Sequence, residues 1–428
     1  MIKILKYGDV PNSEIFARDE KISDVSGTVS EIIENVKQNG DDALRTYSEK
    51  FDGVLLSEIE VTEEEIKNAF ELVENEFLEI IKEAKDNIYD YHKHQKRSSF
   101  IVNEKDGIVL GQKIIPIEKV GVYVPGGTAA YPSTVLMDII PAKIAGCESI
   151  CMVTPPSKDG LVNPYILTAA KIAGADRIFK VGGAQAIAAL SYGTQSIPKV
   201  DKIVGPGNAY VAEAKRQVFG RVNIDMIAGP SEILVVADNT NNPVYVAADL
   251  LSQAEHDRMA SAVLVCDDID FARAVADELE KQLKALPREN IARASIENNG
   301  KIIVADNLMQ AIDIANEIAP EHFELCVDNP FDYLDKIKHA GSVFLGKYSP
   351  EALGDYFSGP NHTLPTSGTA KFSSPLSVDD FVKKTQFSYY TRDALEKVKD
   401  KVAYFADKEG LHAHARSVLV RFEDNNNE

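Results

Sequence analysis

From Glu118 onward, short apolar runs alternate with amphipathic stretches, and this alternation restricts the fold more than any other feature of the chain. The runs KVGVYV and SICMVTP predict strands, and PSTVLMDIIPAKIAG between them predicts a helix. Strand, helix and strand in succession favour a parallel sheet covered by helices. Residues 116–230 are therefore predicted to form one doubly wound unit, continued by LVNPYILTAAKIAG, RIFKVGG, AQAIAALSYG, DKIVGPG and NAYVAEAKRQVFG.

A second series of the same texture occupies residues 231–372. It consists of EILVVAD, VYVAADLLSQAEH, SAVLVC, FARAVADELEKQLKAL, KIIVAD, LMQAIDIANEIAP, HFELCV and GSVFLG. The predicted fold class is α/β, with two consecutive parallel-sheet domains that face each other. No literal repeat links the two series, so a duplication stays open.

The segments on either side are patterned as helices. Residues 1–115 are acidic and repeat apolar positions at helical spacing, and Thr62 with Glu65 matches a capping box. This N-terminal segment is predicted to pack on the second sheet domain. Residues 373–428 predict a helical C-terminal extension through SVDDFVKKTQFSYYT, DALEKVKDKVAYFADKEG and LHAHARSVLVRF, with an interruption at Gly410 and a disordered tail EDNNNE.

Charge and hydropathy exclude several classes of protein. The 46 basic and 66 acidic residues give a formal charge of -20 without a basic stripe, which argues against nucleic acid or anionic membranes as partners. No apolar run approaches the roughly 20 residues that a membrane-spanning helix needs. The N-terminus also lacks the apolar core of a signal peptide. We therefore expect a soluble, cytoplasmic protein.

The cysteines point to the same compartment. Four cysteines in 428 residues do not form a disulfide framework, which favours a reducing environment. Cys147 and Cys151 are the close pair, and both are predicted to be buried structural thiols.

Four glycine-rich turns follow or separate the predicted strands. In open α/β sheets, ligands bind beyond the carboxyl ends of strands, where helix N-termini offer free N–H groups. No GxGxxG sequence occurs, so each turn is either simple turn geometry or part of a ligand crevice. The turns are Pro125-Gly126-Gly127, Gly182-Gly183-Ala184-Gln185, Gly205-Pro206-Gly207-Asn208 and Gly229-Pro230-Ser231.

Two short motifs carry groups suited to metal binding or proton transfer. Gln253 and His256 lie three residues apart at the end of a predicted helix, which places them on one face. They are either metal ligands or residues of a helix end that lies in solvent. Glu321 and His322 follow Pro320 at the start of a predicted strand. They are either an acid–base pair or two surface residues, and only an acid–base pair would serve catalysis.

Other polar groups occur in loops and near the C-terminus. Asp355 and His362 lie in a glycine-rich loop of the kind that often binds ligands. His412 and His414 follow Glu409 and project from different sides of a helix, so only one of the two histidines readily serves a given site. The remaining candidates, His92 and His94, are predicted to be solvated helix residues.

These motifs together resemble the histidinol dehydrogenase family, and the resemblance covers nearly the whole chain. It rests on eight blocks in the family's order: GVYVPGGTAAYPSTVLM, VGGAQAIAALSYGT, KIVGPGNAYVAEAKRQVFG, IDMIAGPSEILVVAD, AADLLSQAEHD, APEHFEL, GDYFSGPNHTLPTSGTA and EGLHAHARSV. The resemblance implies two Rossmann-like domains. It also implies oxidation of L-histidinol to L-histidine through the aldehyde, the last two steps of histidine biosynthesis, with two NAD molecules and one zinc ion per subunit.

The resemblance also assigns roles to individual residues of this chain. The implied zinc ligands are Gln253, His256, Asp355 and His414, the last supplied by the partner subunit of a homodimer through the C-terminal extension. The implied acid–base pair is Glu321 and His322. The implied substrate contacts are Ser231, Gln253, His256, His322, Asp355, His362, Glu409 and His414. The implied NAD contacts are Tyr123, Gln185 and Asn208.

A mechanism follows as a hypothesis. Histidinol carries an imidazole and an amine, both good zinc donors, so the metal would anchor the substrate. His322 would take the alcohol proton in the first oxidation, and Glu321 would activate water for the second. The absence of thiolate ligands suggests that manganese or cobalt could replace zinc.

Two rival readings remain open from the sequence. One is a zinc-dependent hydrolase with Glu321 as base, and the other is a non-catalytic binding protein on the same scaffold. Reduction of NAD on addition of histidinol would exclude the hydrolase, and the lack of any turnover with metal supplied would favour the binding protein.

Overall fold

A computed structural model describes residues 2–18, 24–126 and 130–423 of the chain. The chain divides into two compact units. The larger unit comprises Met1–Lys96 and Ile117–Phe381, and the smaller unit comprises Arg97–Pro116 and Val382–Glu428. The division into 1–115, 116–230, 231–372 and 373–428 stays a prediction.

Strands and helices are numbered along the chain. The strands are β1 (Lys3–Lys6), β2 (Phe100–Lys105), β3 (Ile108–Pro116), β4 (Lys119–Tyr123), β5 (Ser149–Thr154), β6 (Arg177–Lys180), β7 (Lys202–Val204), β8 (Asn223–Ile224), β9 (Glu232–Ala237), β10 (Ser261–Cys266), β11 (Lys301–Val304), β12 (His322–Cys326), β13 (Ser342–Leu345) and β14 (Val382–Tyr390). The helices are α1 (Asn12–Ile15), α2 (Ser26–Asn39), α3 (Asp41–Tyr47), α4 (Glu63–Leu72), α5 (Asn75–His92), α6 (Pro132–Ala145), α7 (Pro164–Ala173), α8 (Gly183–Tyr192), α9 (Ala209–Val218), α10 (Pro243–Ala254), α11 (Ile269–Leu283), α12 (Glu289–Asn298), α13 (Leu308–Ile318), α14 (Glu351–Tyr356), α15 (Arg392–Glu396), α16 (Lys399–Lys408) and α17 (His412–Leu419).

The larger unit contains a five-stranded sheet in the order β6-β5-β4-β7-β8, with every pairing parallel. The three elements that open the alternating pattern form as predicted, namely β4, α6 and β5. The apolar side chains of the strands pack with those of α2 and α8 in one hydrophobic core, so these helices cover the sheet. Because the strands are parallel, the turns after β4, β6 and β7 lie on the same side of the sheet, at the carboxyl ends of the strands.

A second, six-stranded sheet of the same unit has the order β1-β11-β10-β9-β12-β13, also entirely parallel. The α/β class with two parallel sheets is thus confirmed. β1 comes from the N-terminal segment predicted as helical, and it pairs Lys3 with Lys301. A four-residue strand is too short to show a period of two, so its pairing with β11 was not visible in the sequence.

The remaining N-terminal elements are mostly helical, as predicted. The capping box at the start of α4 is present, because Thr62 Oγ1 accepts from the Glu65 N–H at 3.1 Å and Glu65 Oε2 accepts from the Thr62 N–H at 2.7 Å. His94 is exposed, as expected, but the prediction of a solvated His92 is wrong. His92 ends α5 fully buried, with Nδ1 2.7 Å from Oε1 of Gln95.

The smaller unit is an antiparallel sheet in the order β14-β3-β2 with α15, α16 and α17. The prediction of a helix over SVDDFVKKTQFSYYT is wrong, because β14 pairs along its whole length with β3, from Val382 opposite Pro116 to Tyr390 opposite Ile108. This segment forms a strand because it pairs with residues 266 to 282 positions earlier in the chain, and no local pattern reveals such partners. Gly410 has a φ of 76° between α16 and α17, which confirms the predicted interruption. The tail after Glu423 lies outside the described residues.

All four cysteines are free and buried, in agreement with structural thiols. Within the described ranges, no helix is both long and apolar enough to cross a membrane.

Candidate active site

Glu321 and His322 lie at the amino end of β12, in the interior of the six-stranded sheet between β9 and β13. α13 ends at Ile318, and Ala319 then adopts a left-handed conformation with a φ of 50° before Pro320. This corner turns the chain directly into the strand. Both side chains are buried, 7% and 4% exposed, so the alternative of two surface residues does not hold.

The main chain of Glu232, at the start of β9, holds both side chains. Its N–H donates to Glu321 Oε2 at 2.8 Å, and its carbonyl oxygen lies 2.9 Å from Nδ1 of His322. A carbonyl oxygen only accepts, so Nδ1 carries the proton and Nε2 of a neutral His322 has the free lone pair. Nε2 is buried and has no hydrogen-bond partner in the part of the chain that the structure describes.

Burial sets the protonation of this pair. It raises the pKa of Glu321 well above its ordinary value and lowers the pKa of His322 to about 4. Both directions have the same cause, because burial penalises the charged form of each group. At neutral pH His322 is therefore a neutral imidazole able to accept a proton, beside a carboxyl group that resists ionisation.

Two carboxyl groups of α14 face the histidine. Glu351 and Asp355 lie four residues apart, which places them on one face of the helix. One ligand atom each from His322, Glu351 and Asp355 lie within 4.8 Å of one another. Glu351 was not predicted from the sequence. Its signal was the spacing to Asp355, which stands out only once the helix is known to begin at Glu351.

Only one residue of the predicted ligand pair, Gln253, lies in α10. Gln253 lies in the last turn of α10, is 1% exposed, and has Nε2 3.3 Å from Nδ1 of His322. The helix ends at Ala254, so His256 lies beyond it rather than on the same helical face as predicted. A turn carries the chain onward, because the His256 N–H donates to the Gln253 carbonyl at 3.2 Å. His256 is half-buried, and its carbonyl accepts from Nη2 of Arg288 at 3.4 Å.

His362 joins the cluster from the loop after α14. Its Nδ1 lies 3.3 Å from Oδ1 of Asp355, and its Nε2 lies 3.3 Å from Oγ1 of Thr134 on α6. Burial alone would lower the pKa of His362, but the hydrogen bond to Asp355 raises it above its ordinary value. Burial by itself would raise the pKa of Asp355. The hydrogen bond from His362 and the positive charge of His362 nevertheless hold the pKa of that carboxyl below its usual range.

Next to the Asp355–His362 pair, the loop that carries His362 is hydrogen-bonded to α6. Asn361 Nδ2 donates to the Met137 carbonyl at 2.6 Å, and Thr363 Oγ1 donates to Asp138 Oδ1 at 2.8 Å. Burial raises the pKa of Asp138 to about 7 despite the bond from Thr363. The position of His362 is thus set from the side of the five-stranded sheet.

The predicted NAD contacts lie at the carboxyl edge of the five-stranded sheet. Tyr123 ends β4, and its hydroxyl oxygen accepts from the Gly183 N–H at 3.2 Å. Gln185 lies buried in the first turn of α8, and the side-chain oxygen of Asn208 caps α9 by accepting from the N–H groups of Tyr210 and Val211. The turns after β4, β6 and β7 therefore meet as expected, although Gly127 lies outside the described residues.

The fourth glycine turn differs. Gly229-Pro230-Ser231 precedes β9 and so lies at the amino end of the six-stranded sheet. Ser231 adjoins Glu232, and its carbonyl accepts from the Ser261 N–H at 2.9 Å. Glu321 and His322 lie at the same amino ends, which the rule about carboxyl ends of strands did not predict.

Glu409 and His414 belong to the smaller unit. Glu409 follows the last residue of α16, and His414 lies in the first turn of α17; both are exposed. The larger unit by itself brings together Gln253, Glu321, His322, Glu351, Asp355 and His362.

A divalent cation fits the cluster. His322 Nε2 and Glu351 Oε1 are buried, 3.8 Å apart, and neither has a hydrogen-bond partner among the described residues. Uncompensated buried acceptors are costly unless a cation, proton or water satisfies them. Imidazole nitrogen with carboxylate and amide oxygen is a donor set that suits zinc or a harder divalent metal.

The fold and the site define a class: an α/β protein with a buried glutamate–histidine pair beside a cluster of side chains of the types that bind metals. Comparison with known proteins makes the class specific. The family model described as histidinol dehydrogenase matches residues 16–422. The chain belongs to the histidinol dehydrogenase family and is an oxidoreductase.

Individual relatives agree over nearly their full lengths. The histidinol dehydrogenase of Bacillus cereus is 59% identical over 94% of this chain and 93% of its own length. That of Clostridium acetobutylicum is 54% identical over 99% of both chains. The crystal structure of histidinol dehydrogenase from Elizabethkingia anophelis superposes with a TM-score of 0.93 at 42% identity, covering 98% of each chain.

Proposed function

We propose that this protein oxidises L-histidinol to L-histidine through histidinaldehyde, with two NAD molecules as hydride acceptors, as the last steps of histidine biosynthesis. Membership of the family supports the substrate. The observation that carries the chemistry is the free Nε2 of His322, which is fixed by the Glu232 carbonyl and buried beside Glu321. A neutral, oriented imidazole is the base that removal of a hydroxyl proton requires.

In the proposed first oxidation, His322 Nε2 accepts the hydroxyl proton while the carbon-bound hydrogen leaves as hydride to NAD. In the second, Glu321, ionised when a cation is bound nearby, accepts a proton from the water that attacks the aldehyde, while protonated His322 returns its proton to the aldehyde oxygen. Neutral His322 then accepts a hydroxyl proton of the hydrate as hydride leaves to the second NAD. The pair serves both steps because one main-chain segment holds both side chains. Burial of the pair keeps bulk water away from the aldehyde.

We propose Gln253, His256 and Asp355, with His414 of the partner subunit, as the residues that hold one zinc ion. When bound, zinc would supply a Lewis-acidic anchor for the imidazole and amine of the substrate. Ser231, His362 and Glu409 are proposed to complete the substrate contacts. The approach of Gln253 and Asp355 to His322 supports the larger unit's share of this assignment.

Tyr123, Gln185 and Asn208 are proposed to contact NAD. Their common position at the carboxyl edge of the five-stranded sheet, next to the starts of α8 and α9, supports this role. Helix N-termini offer N–H groups to a pyrophosphate even without a GxGxxG sequence.

A homodimer is proposed because the smaller unit leaves many large apolar side chains in solvent. Those most exposed on β2, β14 and α16 are Phe100, Ile101, Tyr389, Tyr404 and Phe405. Extended apolar surface of this kind typically marks an interface. The proposed compartment is the cytoplasm, which the four free thiols support.

The direct test supplies L-histidinol and NAD to the zinc-loaded protein and identifies the product. L-Histidine with concurrent NADH formation is expected. Histidinol recovered unchanged, with zinc bound and NAD present, would contradict the proposal.

A further inference from the structure

Glu351 is a buried carboxyl group that neither the proposed ligand set nor the acid–base pair uses. It is 1% exposed and begins α14. Its N–H donates to Glu324 Oε1 at 2.7 Å, and its Oε2 accepts from Ser252 Oγ at 3.0 Å. Two elements, β12 and α10, therefore fix its position before any ligand is considered.

The carboxyl group of Glu351 also lies beside other residues of the proposed metal centre. One of its oxygen atoms lies within 4.8 Å of a carboxylate oxygen of Asp355. Its Oε1 points to the cluster, 3.8 Å from Nε2 of His322. Ser252, which anchors the other oxygen, is the chain neighbour of Gln253. Glu351 thus connects the α10 donor with the α14 donor.

We propose that Glu351 is a positioning residue of the metal centre, an inference that rests on the proposed zinc-dependent function. Through the hydrogen bond from Ser252 Oγ, it fixes the last turn of α10, from which Gln253 reaches the cation. By contacting Asp355 one helical turn away, it fixes the direction of that carboxylate. Groups that orient ligands in this way commonly contribute about 10–100-fold to metal affinity.

The test measures zinc affinity of the full-length protein by competition with a chromophoric chelator, a readout that does not need turnover. We expect Glu351→Gln to weaken zinc binding by about 10–100-fold while one zinc per subunit still binds at saturation. X-ray absorption spectra of the saturated variant should keep the wild-type number of coordinating atoms. Asp41→Asn, which alters a buried carboxylate bonded to Ser196 in the same unit, is the control and should bind zinc as the wild type does.

Ser252→Ala provides a milder variant in case Glu351→Gln does not fold. It removes the hydroxyl that anchors Glu351, so it should weaken zinc binding in the same direction but less. Wild-type affinity in both variants would overturn the inference. So would a lost coordinating atom in Glu351→Gln, because Glu351 would then be a direct ligand. If the wild-type protein itself bound no zinc, the proposed function would fail instead.

Discussion

The carbonyl oxygen of Glu232 accepts a hydrogen bond from Nδ1 of His322 at 2.9 Å, and this contact determines which nitrogen of the imidazole can act as a base. The neighbouring strands β9 and β12 are paired in register, with His322 opposite Ile233. The accepting carbonyl belongs to the main chain of a strand in the sheet, so the orientation of the His322 imidazole is set by the fold.

Replacement of His322 should affect both oxidations. Because the same Nε2 accepts the proton in each step, His322→Gln should lower kcat by about 10²–10⁴-fold with histidinol and with histidinaldehyde as substrates. Steady-state rates with each substrate at saturating zinc check this. His92→Gln, which removes a buried imidazole bonded to Gln95 on α5, should leave both rates near wild type. A normal aldehyde rate in His322→Gln would contradict the shared base.

Replacement of Glu321 should separate the two oxidations. Gln is isosteric and keeps an oxygen for the Glu232 N–H, but it cannot activate water. Glu321→Gln should therefore slow aldehyde oxidation by about 10²-fold or more while alcohol oxidation falls less. Single-turnover experiments that follow both NADH and aldehyde will resolve the steps. Equal losses in both steps would show that the proposed division of labour is wrong.

Subunit mixing tests the shared site. His414→Asn and Gln253→Ala should each lose zinc and activity. In a mixed dimer, Gln253 of one subunit and His414 of the other form one intact site, so random exchange should restore about a quarter of the wild-type sites. Zinc content and NADH formation of the mixture measure the recovery. If neither recovers although mixed dimers are present, His414 does not act across subunits.

Removal of the metal should be reversible. Exhaustive treatment with a chelator is expected to abolish histidinol oxidation, because the substrate loses its anchor. Zinc, cobalt or manganese should each restore activity, since the proposed ligands include no thiolate. Metal analysis in parallel with activity checks the link, and full activity at less than a tenth of a metal ion per subunit would oppose it.

Buried Asp138 predicts a specific pH dependence of stability. Its pKa is raised by burial to about 7, so the folded chain keeps a proton that the unfolded chain releases near its ordinary pKa. Its contribution to stability is fully present below pH 4 and is lost as the pH rises toward and through 7. Asp138→Asn should therefore gain in free energy of unfolding relative to the wild type between pH 5 and pH 8. Urea unfolding of the metal-free proteins measures the gain, and a difference independent of pH would contradict it.

The sequence predicted the parallel sheets because their strands are short apolar runs separated by amphipathic helices, a pattern that local spacing reveals. β14 was missed because a strand of the smaller unit depends on a partner far away in sequence, and its alternation of Lys, Thr, Phe and Tyr also suits an exposed helix. β1 was missed because four residues carry too little periodicity.

The site could be predicted only where a motif carried it. The Glu321-His322 pair and the Gln253-His256 pair were visible as motifs, and the structure places Gln253 against His322. Glu351 belongs to no recognisable sequence motif. Its position depends on hydrogen bonds with Ser252 of α10 and Glu324 of β12, which are distant in the sequence. The burial of His92 was equally hidden, because a charged stretch surrounds it in the sequence.

The central claim is that one acid–base pair performs two successive oxidations without releasing the aldehyde. The most direct measurement counts NADH and L-histidine formed by the zinc-loaded protein from L-histidinol, in the presence of an aldehyde-trapping reagent. We expect two NADH for each L-histidine and no trapped aldehyde. One NADH for each histidinol consumed, with the aldehyde recovered in the trap, would contradict it.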